Sequence, residues 1–100
     1  MNTTIREEDG KLVVAFEGRL DTAAAAQTSM DVAPLYESVG KDIIVDCTNL
    51  TYISSSGLRI LLGIRKHASE VGCSASIIGA NEDIREVLFT TGFNNLFEIK

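Results

Sequence analysis

Residues 51–61 read Thr51-Tyr52-Ile53-Ser54-Ser55-Ser56-Gly57-Leu58-Arg59-Ile60-Leu61, and within them one kind of backbone must give way to another. Serine favours caps and turns, and glycine costs roughly 1 kcal/mol inside a helix. Upstream, Ile43-Ile44-Val45 is a continuous β-branched run, which predicts a short strand buried on both faces and ended by Asp46-Cys47-Thr48-Asn49. Downstream, the spacing becomes helical from Ser56 or Gly57 to about Val71, with Gly72 as the stop. On a helix turning about 100° per residue, Ile60, Leu61, Ile64, Ala68 and Val71 cluster around Gly57. That stripe sets Gly57 against the sheet. Leu58 and Leu62 fall at about 100° and 140° from it, near Arg65, and predict either an apolar docking shoulder or a wider core contact.

The same reading extends in both directions. Asp9-Gly10 is a two-residue hairpin signal, and Leu12, Val14 and Phe16 alternate along Lys11 to Glu17. Gly18-Arg19-Leu20-Asp21-Thr22 breaks that alternation, and Asp21 or Thr22 can cap a helix carrying Ala23 to Ala26. Pro34 should kink this helix or begin a new turn through Leu35 and Tyr36, ending near Gly40. Ser74 to Gly79 contains Ile77-Ile78, a second buried strand. Asn81 caps a third helix with Ile84, Val87 and Leu88 on one face, Gly92 closes it, and Leu96-Phe97-Glu98-Ile99 is a last short strand. The order is ββαβαβαβ. It predicts a single α/β domain over residues 1–100, with a mixed sheet and right-handed parallel crossovers beside one hairpin.

Composition narrows the function. Fourteen acidic residues against nine basic ones give a net charge of −5, which disfavours nucleic acid as a partner. No basic run or lipidation motif and no apolar run of about 18 residues is present, so neither a membrane span nor direct membrane binding is expected. Cys47 and Cys73 lack zinc-type spacing and read as reduced thiols of a cytoplasmic protein packed as small apolar residues. No metal or cofactor is expected.

The three serines stand where a strand hands over to a helix, the end of an open α/β sheet at which ligands and chemistry usually gather. Capping alone accounts for isolated serines, because a helix start exposes unpaired N–H groups and partial positive charge. A nucleophile would need a base in reach. The single histidine, His67, lies twelve positions beyond Ser55, roughly 18 Å away along a helix. Phosphate loops and nucleophile elbows are absent, so catalysis is not expected.

Taken together, Gly18-Arg19-Leu20-Asp21, Ile44 to Leu50, Tyr52-Ile53-Ser54-Ser55-Ser56-Gly57-Leu58, Gly92-Phe93 and Leu96-Phe97 resemble a STAS domain, in order and over nearly the whole chain. The length is similar to that of the standalone bacterial anti-sigma-factor antagonists. That resemblance implies partner switching. A serine in an Asp-Ser-[Ser/Thr]-Gly motif is phosphorylated by an anti-sigma factor that is itself a serine kinase, and a metal-dependent serine phosphatase resets it. Carried over residue by residue, the acceptor is Ser55, Ser56 is the small residue before Gly57, and Ser54 stands in place of the usual aspartate and is an alternative acceptor. Asp21, Thr22, Ser54, Ser56, Gly57, Leu58 and Leu62 are the expected partner-binding residues. The chain ends soon after its last strand, so the C-terminal helix common in the family is expected to be short or missing. A second reading is a STAS-like accessory subunit of a transport or scaffold complex whose serines are never phosphorylated.

Overall fold

The computed structural model describes residues 1–37 and 40–100. Five strands form one sheet in the order of the chain: β1 (Asn2–Glu8), β2 (Lys11–Leu20), β3 (Ile43–Ile53), β4 (Ala75–Ile78) and β5 (Glu98–Ile99). β1 pairs antiparallel with β2 and the other pairings are parallel. The hairpin turns at Asp9-Gly10, both at positive φ (52° and 77°), as a type I′ turn requires. Three helices make the crossovers: α1 (Thr22–Asp31), α2 (Ser55–Glu70) and α3 (Glu82–Thr90). The sheet is mixed and the domain is α/β, as the sequence predicts.

Each crossover steps to the next strand in the same direction, and right-handed connections then place all three helices on one face. The strands alternate accordingly. Val14 and Phe16 of β2, Ile43, Val45 and Cys47 of β3, and Ile77 of β4 join one core with Ile60, Leu61, Ile64, Ile84 and Leu88 from the helices. Among the described residues the opposite face carries no helix. Ile44 and Ile78 lie on it and are only half-buried, so the expectation that Ile43–Val45 and Ile77-Ile78 are buried on both faces is corrected. Among the described residues only Val13 is sealed there, flanked across the ladders by Arg6 and Ile44.

Strand lengths differ from the sequence reading too. Gly18 does not end β2; at φ 105° it sits in an irregular stretch of the β2–β3 ladder, and the strand resumes to Leu20. Asp46 does not end β3 either. Its carboxylate folds back to accept from the Thr48 amide (3.0 Å) and hydroxyl (2.6 Å), a local kink past which the strand continues to Ile53. At the other edge, Phe93–Asn95 form a 3-10 turn and β5 shrinks to Glu98–Ile99. After α1, Ala33–Glu37 form a 3-10 turn with Pro34 near its start, where a missing N–H costs little. The turn is described as far as Glu37; between it and the end expected near Gly40, Ser38 and Val39 lie outside the described residues.

Candidate functional site

Leu20 and Ile53 end two neighbouring parallel strands, and the Ser54 amide donates to the Leu20 carbonyl at 2.9 Å. This bond sets the starts of α1 and α2 side by side. Asp21 and not Thr22 caps α1, accepting from the Ala24 amide at 2.9 Å, while Thr22 is exposed. Of the three serines, only Ser54 caps α2. With extended backbone (φ −93°, ψ 174°), its hydroxyl accepts from the Gly57 amide at 3.2 Å.

Helix α2 therefore starts at Ser55, one residue before Ser56 and two before Gly57, the two starts that the spacing predicts. Ser55 is exposed and its hydroxyl takes part in no hydrogen bond among the described residues. Ser56 is half-buried and lines a cleft of about 370 Å³ between α1 and α2, with Ala25, Ala26, Ser29, Tyr36 and Arg59. The first turn of α2 holds no carboxylate. Within its own first turn that positive end meets only a neutral hydroxyl, which favours an anion there.

Gly57 is buried, as the stripe predicts. A Cβ there would lie 2.7 Å from Leu20 Cγ and 2.8 Å from Ile53 Cγ1, so only glycine lets the helix start sit down on the two strand ends. The leucine pair separates. Leu58 packs partly against the core, whereas Leu62 stays 41% exposed. Next to it, the Arg65 side chain reaches the Leu96 carbonyl at 3.3 Å. The sequence reading passed over Arg59 and the α1 flank of the cleft. The signal available was Arg59 one turn beyond Ser55, but α1 shows an almost unbroken alanine run with no stripe to orient it.

The chemistry at this site is that of a surface hydroxyl. His67 packs edge-on against the Tyr36 ring, with centroids 5.1 Å apart, well down α2 from Ser55. Burial and the neighbouring Asp46 push the Cys47 thiol up to about 12, so it stays protonated at neutral pH. Among the described residues no three His, Cys, Asp or Glu side chains gather as metal ligands, and no helix is long and apolar enough to cross a membrane.

Comparison with known proteins gives this geometry a context. A STAS-domain containing protein of Pseudomonas aeruginosa strain UCBPP-PA14 is 32% identical over 101 residues, covering 97% of this chain and 96% of its own. The anti-sigma-B factor antagonist of Staphylococcus aureus is 23% identical over 99 residues, covering 99% and 92%. Among solved structures, the unphosphorylated anti-sigma factor antagonist SpoIIAA superposes with a TM-score of 0.81 at 18% identity, covering 99% of this chain and 88% of that one. The Bacillus SpoIIAA in its phosphorylated form gives 0.74 at 18% identity, covering 99% and 91%. The STAS domain model itself matches residues 2–100, and this chain therefore belongs to the STAS domain family.

Proposed function

We propose that this protein is an anti-sigma-factor antagonist that works by partner switching, with Ser55 as the phosphate acceptor. The observation that carries this is the arrangement at the start of α2: one serine is used as the cap, one is half-buried, and Ser55 alone is exposed and unengaged. The family membership and the antagonists among the relatives support the same reading. Unmodified, the protein binds an anti-sigma factor that is also a serine kinase, and so frees the sigma factor. That kinase transfers the γ-phosphoryl group of ATP to the Ser55 oxygen, ADP leaves, and the hydroxyl proton passes to the kinase's base. A metal-dependent phosphatase hydrolyses the ester, returning the hydroxyl and inorganic phosphate. The protein is substrate and binding partner in this cycle rather than an enzyme.

The physics favours a switch that spares the fold. A phosphoserine brings about −1.5 to −2 charges and three acceptor oxygens. At a helix start these meet free N–H groups and the positive end of the dipole, so the domain tolerates them. A partner pressed onto the same spot must desolvate the phosphate, and the complex weakens. Because Ser54 caps with a hydroxyl and adds no charge, the helix start stays open to the phosphate. Incubation of wild type and Ser55→Ala with the kinase encoded beside the gene and ATP, followed by intact-mass measurement and site mapping, tests the assignment. One phosphate is expected on wild type and none on the variant; wild-type levels on Ser55→Ala would move the acceptor to Ser54 or Ser56. No phosphate on either, with no binding, would favour the transport-subunit reading.

A further inference from the structure

The nine basic residues divide unevenly. Arg6, Lys41 and Lys100 form ion pairs with carboxylates of the same chain, and Lys11 faces Asp42, whose carboxyl is held below the usual range mainly by the Ser74 amide and to a smaller degree by Lys11. Arg19 and Arg85 lie over the rings of Tyr52 and Phe89, and Arg65 bonds the Leu96 carbonyl. Arg59 and Lys66 remain, and among the described residues neither has such a partner. Both stand on one outward ridge of α2. Ser55, Arg59, Leu62 and Lys66 follow each other at spacings of four, three and four, and all four are exposed. No carboxylate interrupts this ridge before Glu70, in a chain whose net charge is −5.

We propose that this ridge docks an acidic segment of the partner protein, and that Arg59 is the charge that Ser55 modification switches. With Ser55 unmodified, the Arg59 guanidinium takes a carboxylate of the partner while Leu62 supplies the apolar contact. A phosphate on Ser55 lies one turn before Arg59, and an anion placed four residues ahead of a cation is the favoured orientation of a helical ion pair. The planar guanidinium fork then closes on two phosphate oxygens. Phosphorylation thus withdraws the cation from the partner as well as adding repulsion. This inference rests on the partner-switching reading for the partner's identity, but the pairing of Arg59 with the phosphate is measurable without any partner.

The experiment has two arms. Phosphoserine is installed genetically at position 55 in wild type, Arg59→Gln and Arg59→Lys, and the phosphate is titrated by ³¹P NMR. Its second ionisation, ordinarily near pH ~6, is expected about half a unit or more lower in wild type than in Arg59→Gln, with Arg59→Lys between. Equal values in wild type and Arg59→Gln overturn the pairing. In the second arm the unmodified proteins are titrated against the anti-sigma factor encoded beside the gene. Arg59→Gln is expected to bind about five-fold more weakly with a shallower salt dependence, and Lys66→Gln to show a smaller change in the same direction. Unchanged affinity in Arg59→Gln overturns the docking role. Failure of wild type to bind overturns the partner-switching reading instead, while the phosphate titration still decides the pairing. Sedimentation with phosphatidylserine vesicles that is lost in Arg59→Gln and Lys66→Gln, with no protein bound, overturns the acidic protein segment in favour of a membrane.

Discussion

The starts of α2 and α3 are built to the same plan and finished differently. Each follows a parallel strand, and each is capped by one polar side chain bonded to the amide three residues on: Ser54 to Gly57, and Asn81 to Ile84 at 2.8 Å. The first turn of α3 then carries Glu82 and Asp83, whereas that of α2 carries no carboxylate. The dipole of α3 is already offset by two fixed charges. The start of α2 is neutral, exposed at Ser55, and pressed by Gly57 onto the ends of β2 and β3. One start is finished for stability, while the other leaves room for a charge to arrive later.

The contrast fails most visibly if Gly57 is not what seats α2. Gly57→Val sets a branched side chain against Leu20 and Ile53 and is expected to cost ~1–3 kcal/mol. Melting should fall by roughly 4–8 °C per kcal/mol in a domain of this size. An unchanged melting curve would mean that the helix start can lift off the strands without loss.

Removing the caps separates the two starts next. Ser54→Ala and Asn81→Ala should each cost ~1 kcal/mol in urea denaturation. Asn81→Ala should cost more, because the Asn81 amide also donates to the Leu50 carbonyl at 3.3 Å. Equal costs would show that this second bond adds nothing.

Further along, each helix shows an exposed apolar residue at its eighth position, Leu62 in α2 and Phe89 in α3. Leu62→Ser should leave the melting curve nearly unchanged and weaken binding to the anti-sigma factor by roughly 1 kcal/mol, about five-fold. Phe89→Ser should leave that affinity unaltered. Equal losses from both would place the partner across α2 and α3 together.

The smallest effect tests the charge asymmetry itself. Ser55→Glu should stabilise by ~0.3–1 kcal/mol at low salt, and Glu82→Ser should destabilise by a similar amount. Both changes should fade as salt screens the exposed charge. The same Ser55→Glu variant should release the partner only in part, since one carboxylate carries less charge than a phosphate.

Much of this is legible in the amino-acid sequence. The Asp9-Gly10 turn, the Asn81 cap and the Gly57 stripe as far as Ala68 rest on local chemistry and stand where the residues predict, while Val71, expected in that stripe, follows the last helical residue and is only half-buried. Other features are not. Asp46-Cys47-Thr48-Asn49 looked like a strand end; in the fold the Asp46 carboxylate accepts from the Thr48 amide two residues on, and pairing with β2 carries β3 on to Ile53. Gly18 also looked like a break, but its φ of 105° sits within an irregular stretch of the ladder and β2 resumes to Leu20.

The amino-acid sequence by itself determined the element order, the caps available at each helix start and the stripe that Gly57 shares with Ile60, Leu61 and Ile64. These follow from backbone preferences and from periods of about 3.6 and 2 residues, which need no knowledge of neighbours. Tertiary structure alone decided which of three serines caps α2, because the bond from the Ser54 amide to the Leu20 carbonyl fixes where β3 ends. It likewise decided that Leu58 meets the core while Leu62 does not, and that Ile44 and Ile78 face away from the helices. Those outcomes depend on what is stacked against each element, and the common direction of the crossovers put every helix on one side of the sheet.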